Sequence, residues 1–175
     1  MRIEVLRIGQ RAVRDDRVTT HAALVARAFG AERIFMEEVN PQVRDTLADV
    51  SSTWGGGFEV ELIDSWRALL RSKKGSASIV HLTMYGETID AAIGSLRRKE
   101  KILAVVGAGK VPRDVYELAD YNVSIGGQPH SEISALAVFL DRLQEGRQLS
   151  KGYGDARRKV LPMRRGKHVL EGEPE

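Results

Sequence analysis

Six short aliphatic, β-branched runs, separated by stretches of helical periodicity, limit this chain to a layered α/β architecture. The runs cover residues 3–8, 33–36, 58–63, 78–82, 102–106 and 122–125. Several are almost continuously apolar, the pattern of strands covered on both faces, and so predict a mainly parallel sheet with helices on both faces. Helix starts can be read between them. Thr20 is placed to cap a helix carrying Ala23, Leu24, Ala26, Arg27 and Ala28, stopped at Gly30. Asn40-Pro41 combines a cap with a proline at the first helical position, and Pro112 plays that part for a helix over 113–119. Ser131 opens an apolar helix over 133–143 that ends near Gly146. A length of 175 residues suits one sizeable core rather than two.

Past Gly146 the alternation stops. Residues 157–163, the turn Arg164-Arg165-Gly166 and residues 167–170 read as a short basic β-hairpin, so the expected division is a domain over 1–150 and a basic C-terminal extension over 151–175. Nine Lys/Arg lie between Arg142 and Lys167 against only Glu145 and Asp155, although the whole chain carries +3. A basic segment on a near-neutral body is the electrostatic footprint of a phosphate-backbone partner, and Arg97-Arg98-Lys99 adds to it. At 6% the aromatic content argues against a base-stacking platform of the single-strand-binding kind. The absence of cysteine excludes disulfides and thiolate metal sites, and His21, His81, His130 and His168 stand in no metal-ligand spacing, so no metal is expected. The charged N-terminus lacks the apolar core of a signal peptide, and no apolar run is long enough for a membrane; a cytoplasmic protein is expected.

In a parallel sheet, ligands gather beyond the carboxyl ends of the strands. Three loops there stand out: Thr83-Met84-Tyr85-Gly86, Gly107-Ala108-Gly109-Lys110-Val111-Pro112, and Gly126-Gly127-Gln128-Pro129-His130-Ser131-Glu132. Their glycines either let a ligand approach the backbone closely or simply make tight turns. Two nucleotide-binding readings fail on the letters. Val111 follows Lys110 where a phosphate-binding loop needs Ser or Thr, and Pro112 occupies the place of the third glycine of a dinucleotide fingerprint.

ILAVVGAGKVP followed by SIGGQPHSEISALAVFLDRL resembles the C-terminal half of SPOUT-class RNA methyltransferases. The block VLRIGQRAVRDDRVTTHAALVARAFGAERI, with HLTMYGE and the basic tail, is similar to one branch, the archaeal tRNA (cytidine(56)-2'-O)-methyltransferases, so the resemblance spans nearly the whole chain. It implies a C-terminal deep trefoil knot and a homodimer in which both subunits contribute to each active site. It implies S-adenosyl-L-methionine as cofactor, and tRNA as partner, methylated on the ribose of cytidine 56 in the TΨC loop. Carried onto this sequence, the cofactor pocket comprises Leu82, Gly107, Ala108, Gly109, Lys110 and Val111, with Ile125, Gly126, Gly127, Gln128, Pro129, His130, Ser131 and Glu132. Relatives that methylate ribose place a catalytic arginine ahead of the glycine ending the first long helix, where this chain has Leu24. Arg17, in a loop with Arg14, Asp15 and Asp16, is the first choice as substitute, and His21 is a second acid/base candidate. The other readings are a SPOUT-like RNA-binding module without catalysis and a SPOUT enzyme acting on another nucleotide.

Overall fold

A computed structural model describes residues 1–9, 16–37 and 39–172. Along the chain run β1 (Arg2–Ile8), α1 (Asp16–Ala28), β2 (Arg33–Glu37), α2 (Gln42–Trp54), β3 (Glu59–Ile63), α3 (Trp66–Lys73), β4 (Ser78–Thr88), α4 (Ile89–Leu96), β5 (Lys101–Gly107), α5 (Arg113–Leu118), β6 (Tyr121–Ser124) and α6 (Glu132–Gln144). A hairpin of β7 (Arg158–Leu161) and β8 (His168–Glu171) follows. The first six strands form one sheet in the order β3-β2-β1-β5-β4-β6, and every pairing in it is parallel. All six strands expected from the sequence are present.

Alternation along the strands divides the core in two. Ile3 and Val5 of β1, Ile34 and Met36 of β2, and Ala104 and Val106 of β5 pack under α1, α2, α4 and α6. Leu6, Ile8, Phe35, Leu103 and Val105, of opposite parity, pack against Trp66 and Leu70 of α3 and Val115 of α5. Connections running outward from β1 and those running the other way from β5 therefore use opposite faces, as right-handed crossovers require. The strand order reverses between β1 and β5, which places the switch point beside the loop that follows β5.

Three local expectations change. Thr20 does not cap α1, because the helix begins about a turn earlier, at Asp16. The reason is the apolar stripe: Thr19, Ala22, Ala23 and Ala26 are all buried at helical spacing, so the core-facing face already includes Thr19. Arg17 accordingly lies in the first helical turn and is exposed, not in a loop; Arg14 and Asp15 lie outside the described residues. The strand expected to end at 82 runs to Thr88, because Glu87 and Thr88 return to pair with Val123 and Ser124 of β6 after an irregularity at 82–87. Pro112 precedes α5 in extended conformation (ψ 153°) instead of entering it. Asn40 does act as a cap, its side chain accepting from the Gln42 amide at 3.0 Å, and Ser131 caps α6 by accepting from Ser134.

Two helices not named from the sequence, α3 and α4, have side-chain caps of their own. Ser65 Oγ accepts from the Ala68 amide, and Thr88 Oγ1 from the Ala91 amide. No helix among the described residues is long and apolar enough to cross a membrane.

Candidate active site

Beside residues 81–85 of β4 and the carboxyl ends of β5 and β6 the chain forms a cavity of about 700 Å³, within the range of small-molecule sites. Of the residues expected to hold a cofactor, Leu82, Gly107, Gly109, Lys110 and Val111 line it. So do Ile125, Gly126, His130, Ser131 and Glu132. Ala108, Gly127, Gln128 and Pro129 are not on this wall, and neither is Arg17. The Ala108 amide instead donates to the carbonyl of Ile8 at 2.9 Å, prolonging the β1–β5 pairing.

Each loop is shaped by a specific contact. A Cβ at Gly107 would fall 2.3 Å from Val111 Cγ1 and 3.1 Å from the Gly109 carbonyl oxygen, so a side chain there would push Val111 out of its place on the cavity wall. Gly126 has φ +76°, a left-handed conformation that opens the third loop at little cost only for glycine. The His130 ring lies against the carbonyl oxygens of Ile125 and Ser131 and ties that loop to itself. Glu132, in the first turn of α6, pairs with Arg7 (3.6 Å), whose side chain is fully buried and also donates to the Gly9 carbonyl at 3.1 Å. A charge buried to that degree needs its counter-ion, so Glu132 fixes the start of α6 over β1.

A polar network on the α5 side is not apparent from the sequence. His81 of β4 is 1% exposed, and its Nδ1 lies 2.9 Å from Asn122 Oδ1 of β6. Asn122 Nδ2 in turn donates to the Tyr116 carbonyl at 3.1 Å. The Tyr116 ring meets the imidazole edge-on with centroids 4.6 Å apart, and its hydroxyl is 2.9 Å from Thr83 Oγ1. His81, Thr83 and Tyr116 all line the cavity. The signal for His81 and Thr83 in the sequence was two polar residues alternating with apolar ones over 79–84.

Burial pushes the His81 pKa down, against a smaller upward pull from its bond to Asn122. An unfolded chain with an ordinary histidine value of 6.5 therefore takes up a proton before the folded one does. The contribution of His81 to stability is complete above that value and is lost as pH falls through the lowered folded value. Melting curves of wild type and His81→Phe should converge as pH drops from 7.5 to 5; parallel curves would contradict the assignment.

Among the described residues, the C-terminal segment meets the rest of the chain beside Gly55 and Gly56. Gly55 and Gly56 both have φ near +75°, and a Cβ at Gly56 would strike the Tyr153 ring at 2.4 Å. The Asp155 carboxylate accepts from the Gly56 amide at 2.9 Å, and Arg27 of α1 lies 5.9 Å from the centre of the Tyr153 ring.

Residues 54–170 match the family model described as "tRNA ribose 2'-O-methyltransferase, aTrm56". The chain belongs to this family. An aTrm56 relative from Nitrosopumilus maritimus, a tRNA (cytidine(56)-2'-O)-methyltransferase, is 61% identical over 97% of this chain and 96% of its own. One of the same name from Thermococcus kodakarensis is 53% identical over 98% of both chains. The SpoU methyltransferase AviRb from Streptomyces viridochromogenes, solved in complex with AdoMet, superposes with a TM-score of 0.56 at 13% identity over 83% of this chain. This chain spans 57% of the length of that one, and the likeness is one of fold. Among the described residues of the aTrm56 chain, no group of three or more His, Asp or Glu could hold a metal.

Proposed function

We propose that this aTrm56-family chain transfers the methyl group of S-adenosyl-L-methionine to the ribose 2'-hydroxyl of cytidine 56 in the TΨC loop of tRNA. The observation that carries the reading is the convergence of the three glycine-bearing loops on one cavity with an apolar floor and charged rim. Leu82, Val106 and Ala135 are buried there, whereas Lys110 and Arg113 are exposed at the edge. Such a wall fits the cofactor: a flat purine takes the apolar floor, and the polar remainder faces the loop backbone. When bound, the cofactor supplies a methyl group activated by the positive sulfonium.

The chain's own residues then have two tasks. One is in-line placement, served by the loops at Gly107 and Gly126 and by Glu132 held on Arg7. The other is to ease loss of the 2'-hydroxyl proton, since that hydroxyl is a poor nucleophile. Arg17 is the residue proposed for this, its guanidinium orienting the phosphate and stabilising developing negative charge on the 2'-oxygen. Arg17 is exposed and does not line the cavity of its own chain, which supports a homodimer in which each subunit completes its partner's site. Met84 and Tyr85 (44% and 83% exposed) at the cavity edge and Val138 on α6 offer apolar surface for that contact. The C-terminal trefoil knot belongs to this reading, supported by the family match over residues 54–170. Residues 1–150 form the catalytic domain, 151–175 the tRNA-binding extension, and the enzyme acts in the cytoplasm.

Two measurements test this reading. Calorimetric titration should show S-adenosylmethionine binding, and silence there would remove the enzyme reading. Deleting residues 155–175 should weaken tRNA binding and lower its salt dependence, because phosphate contacts release counter-ions. An unchanged salt slope would detach the extension from tRNA.

A further inference from the structure

His81 has no part in the function proposed above, yet it is the only buried polar side chain among the described residues lining the cavity. Its chemistry is fixed by its neighbours. Asn122 Nδ2 donates to the Tyr116 carbonyl, so Asn122 turns its Oδ1 acceptor toward His81. An acceptor there demands a proton on His81 Nδ1, and in the neutral ring Nε2 is then an acceptor. Burial keeps the ring neutral. The cavity is thus bordered by apolar surface from Leu82, Val106 and Ala135 on one face of the sheet and, on the α5 face, by one buried side-chain acceptor of fixed tautomer.

We infer that His81 is a specificity-determining residue of the cofactor site, its Nε2 accepting a hydrogen bond from the exocyclic 6-amino group of the cofactor's adenine. The inference rests on the S-adenosylmethionine reading of the cavity. Adenine is the flat apolar part of that molecule, and the amino group is the only N–H donor on its base. A 6-oxo purine presents a carbonyl at the same place and would set acceptor against acceptor. A site built around a hydrogen bond rejects an analogue lacking it far better than an apolar pocket rejects extra bulk.

The test compares S-adenosylmethionine with its hypoxanthine analogue, in which oxygen replaces the 6-amino group, by calorimetric Kd. Wild type should bind the analogue at least about tenfold more weakly, and His81→Phe should hold the two within about threefold of each other. Equal affinities in wild type would overturn the inference, as would full discrimination retained by His81→Phe. A measurement independent of any variant is the ¹⁵N resonance of His81 Nε2. It should report an unprotonated nitrogen in the free protein and move upfield with S-adenosylmethionine but not with the analogue; a protonated Nε2 in the free protein would overturn the inference. Failure of wild type to bind S-adenosylmethionine at all would overturn the proposed function itself, and this inference with it.

Discussion

Gly86→Ala is expected to destabilise the protein by about 3 kcal/mol, at the upper end of the usual cost of overpacking, and to abolish cofactor binding. The added Cβ would lie 2.3 Å from the Asn122 carbonyl oxygen, 2.4 Å from its carbon and 2.5 Å from the Val123 nitrogen. These are backbone atoms of β6, already paired with β4 on both sides of the irregularity at 82–87, so neither strand can yield without unpairing. The β4 segment would lift away, carrying Thr83, Met84 and Tyr85 out of the cavity wall. Thermal melting should fall by roughly 10 °C. Gly127→Ala is the control: its Cβ would meet nothing within 4 Å and its φ is not in the left-handed region, so stability should stay within about 0.5 kcal/mol. Any loss of cofactor affinity in the Gly127 variant then reports a contact with the ligand. Equal melting temperatures for Gly86→Ala and wild type would mean that the return of β4 does not press on β6.

Arg17→Ala should lower kcat by roughly 100-fold, the scale on which removing one preorganised donor to a developing oxyanion acts. Cofactor Kd should be unchanged, because Arg17 is absent from the cavity wall, and so should the melting temperature, because its side chain is exposed. If the site is shared between subunits, mixing Arg17→Ala with a cofactor-defective but folded variant should restore part of the activity, since some mixed dimers carry one intact site. Unchanged turnover in Arg17→Ala would remove this residue from the reaction and turn attention to His21, one turn further along α1.

What the sequence disclosed and what it did not follow one division, between local and non-local determinants. The six strands were legible because period-2 and continuous apolar patterns are local. So was the Ser131 cap, because one hydroxyl before an apolar helix is a local signal. The start of α1 was misjudged because Thr19 counts as polar by its letter, whereas in the fold it occupies the core-facing stripe. That error placed Arg17 in a loop, whereas it lies in the first helical turn. The sheet order, with β1 beside β5, follows from crossovers of both senses and is written in no single segment. The cavity was half legible. Glycine-rich loops after strands marked it, but the network from His81 through Asn122 and Tyr116 to Thr83 joins residues up to 41 positions apart and exists only once β4, α5 and β6 are assembled. Likewise, nothing near Gly56 in the sequence indicates that Tyr153 will fill the space its missing side chain leaves.

Methyl transfer from labelled S-adenosylmethionine to an unmodified tRNA transcript, with the modified nucleotide mapped, is the decisive measurement. One methyl group per tRNA is expected, on the 2'-oxygen of cytidine 56, and none on a transcript carrying 2'-deoxycytidine at that position. Label on a base, at another nucleotide, or undiminished by the deoxy substitution would contradict it.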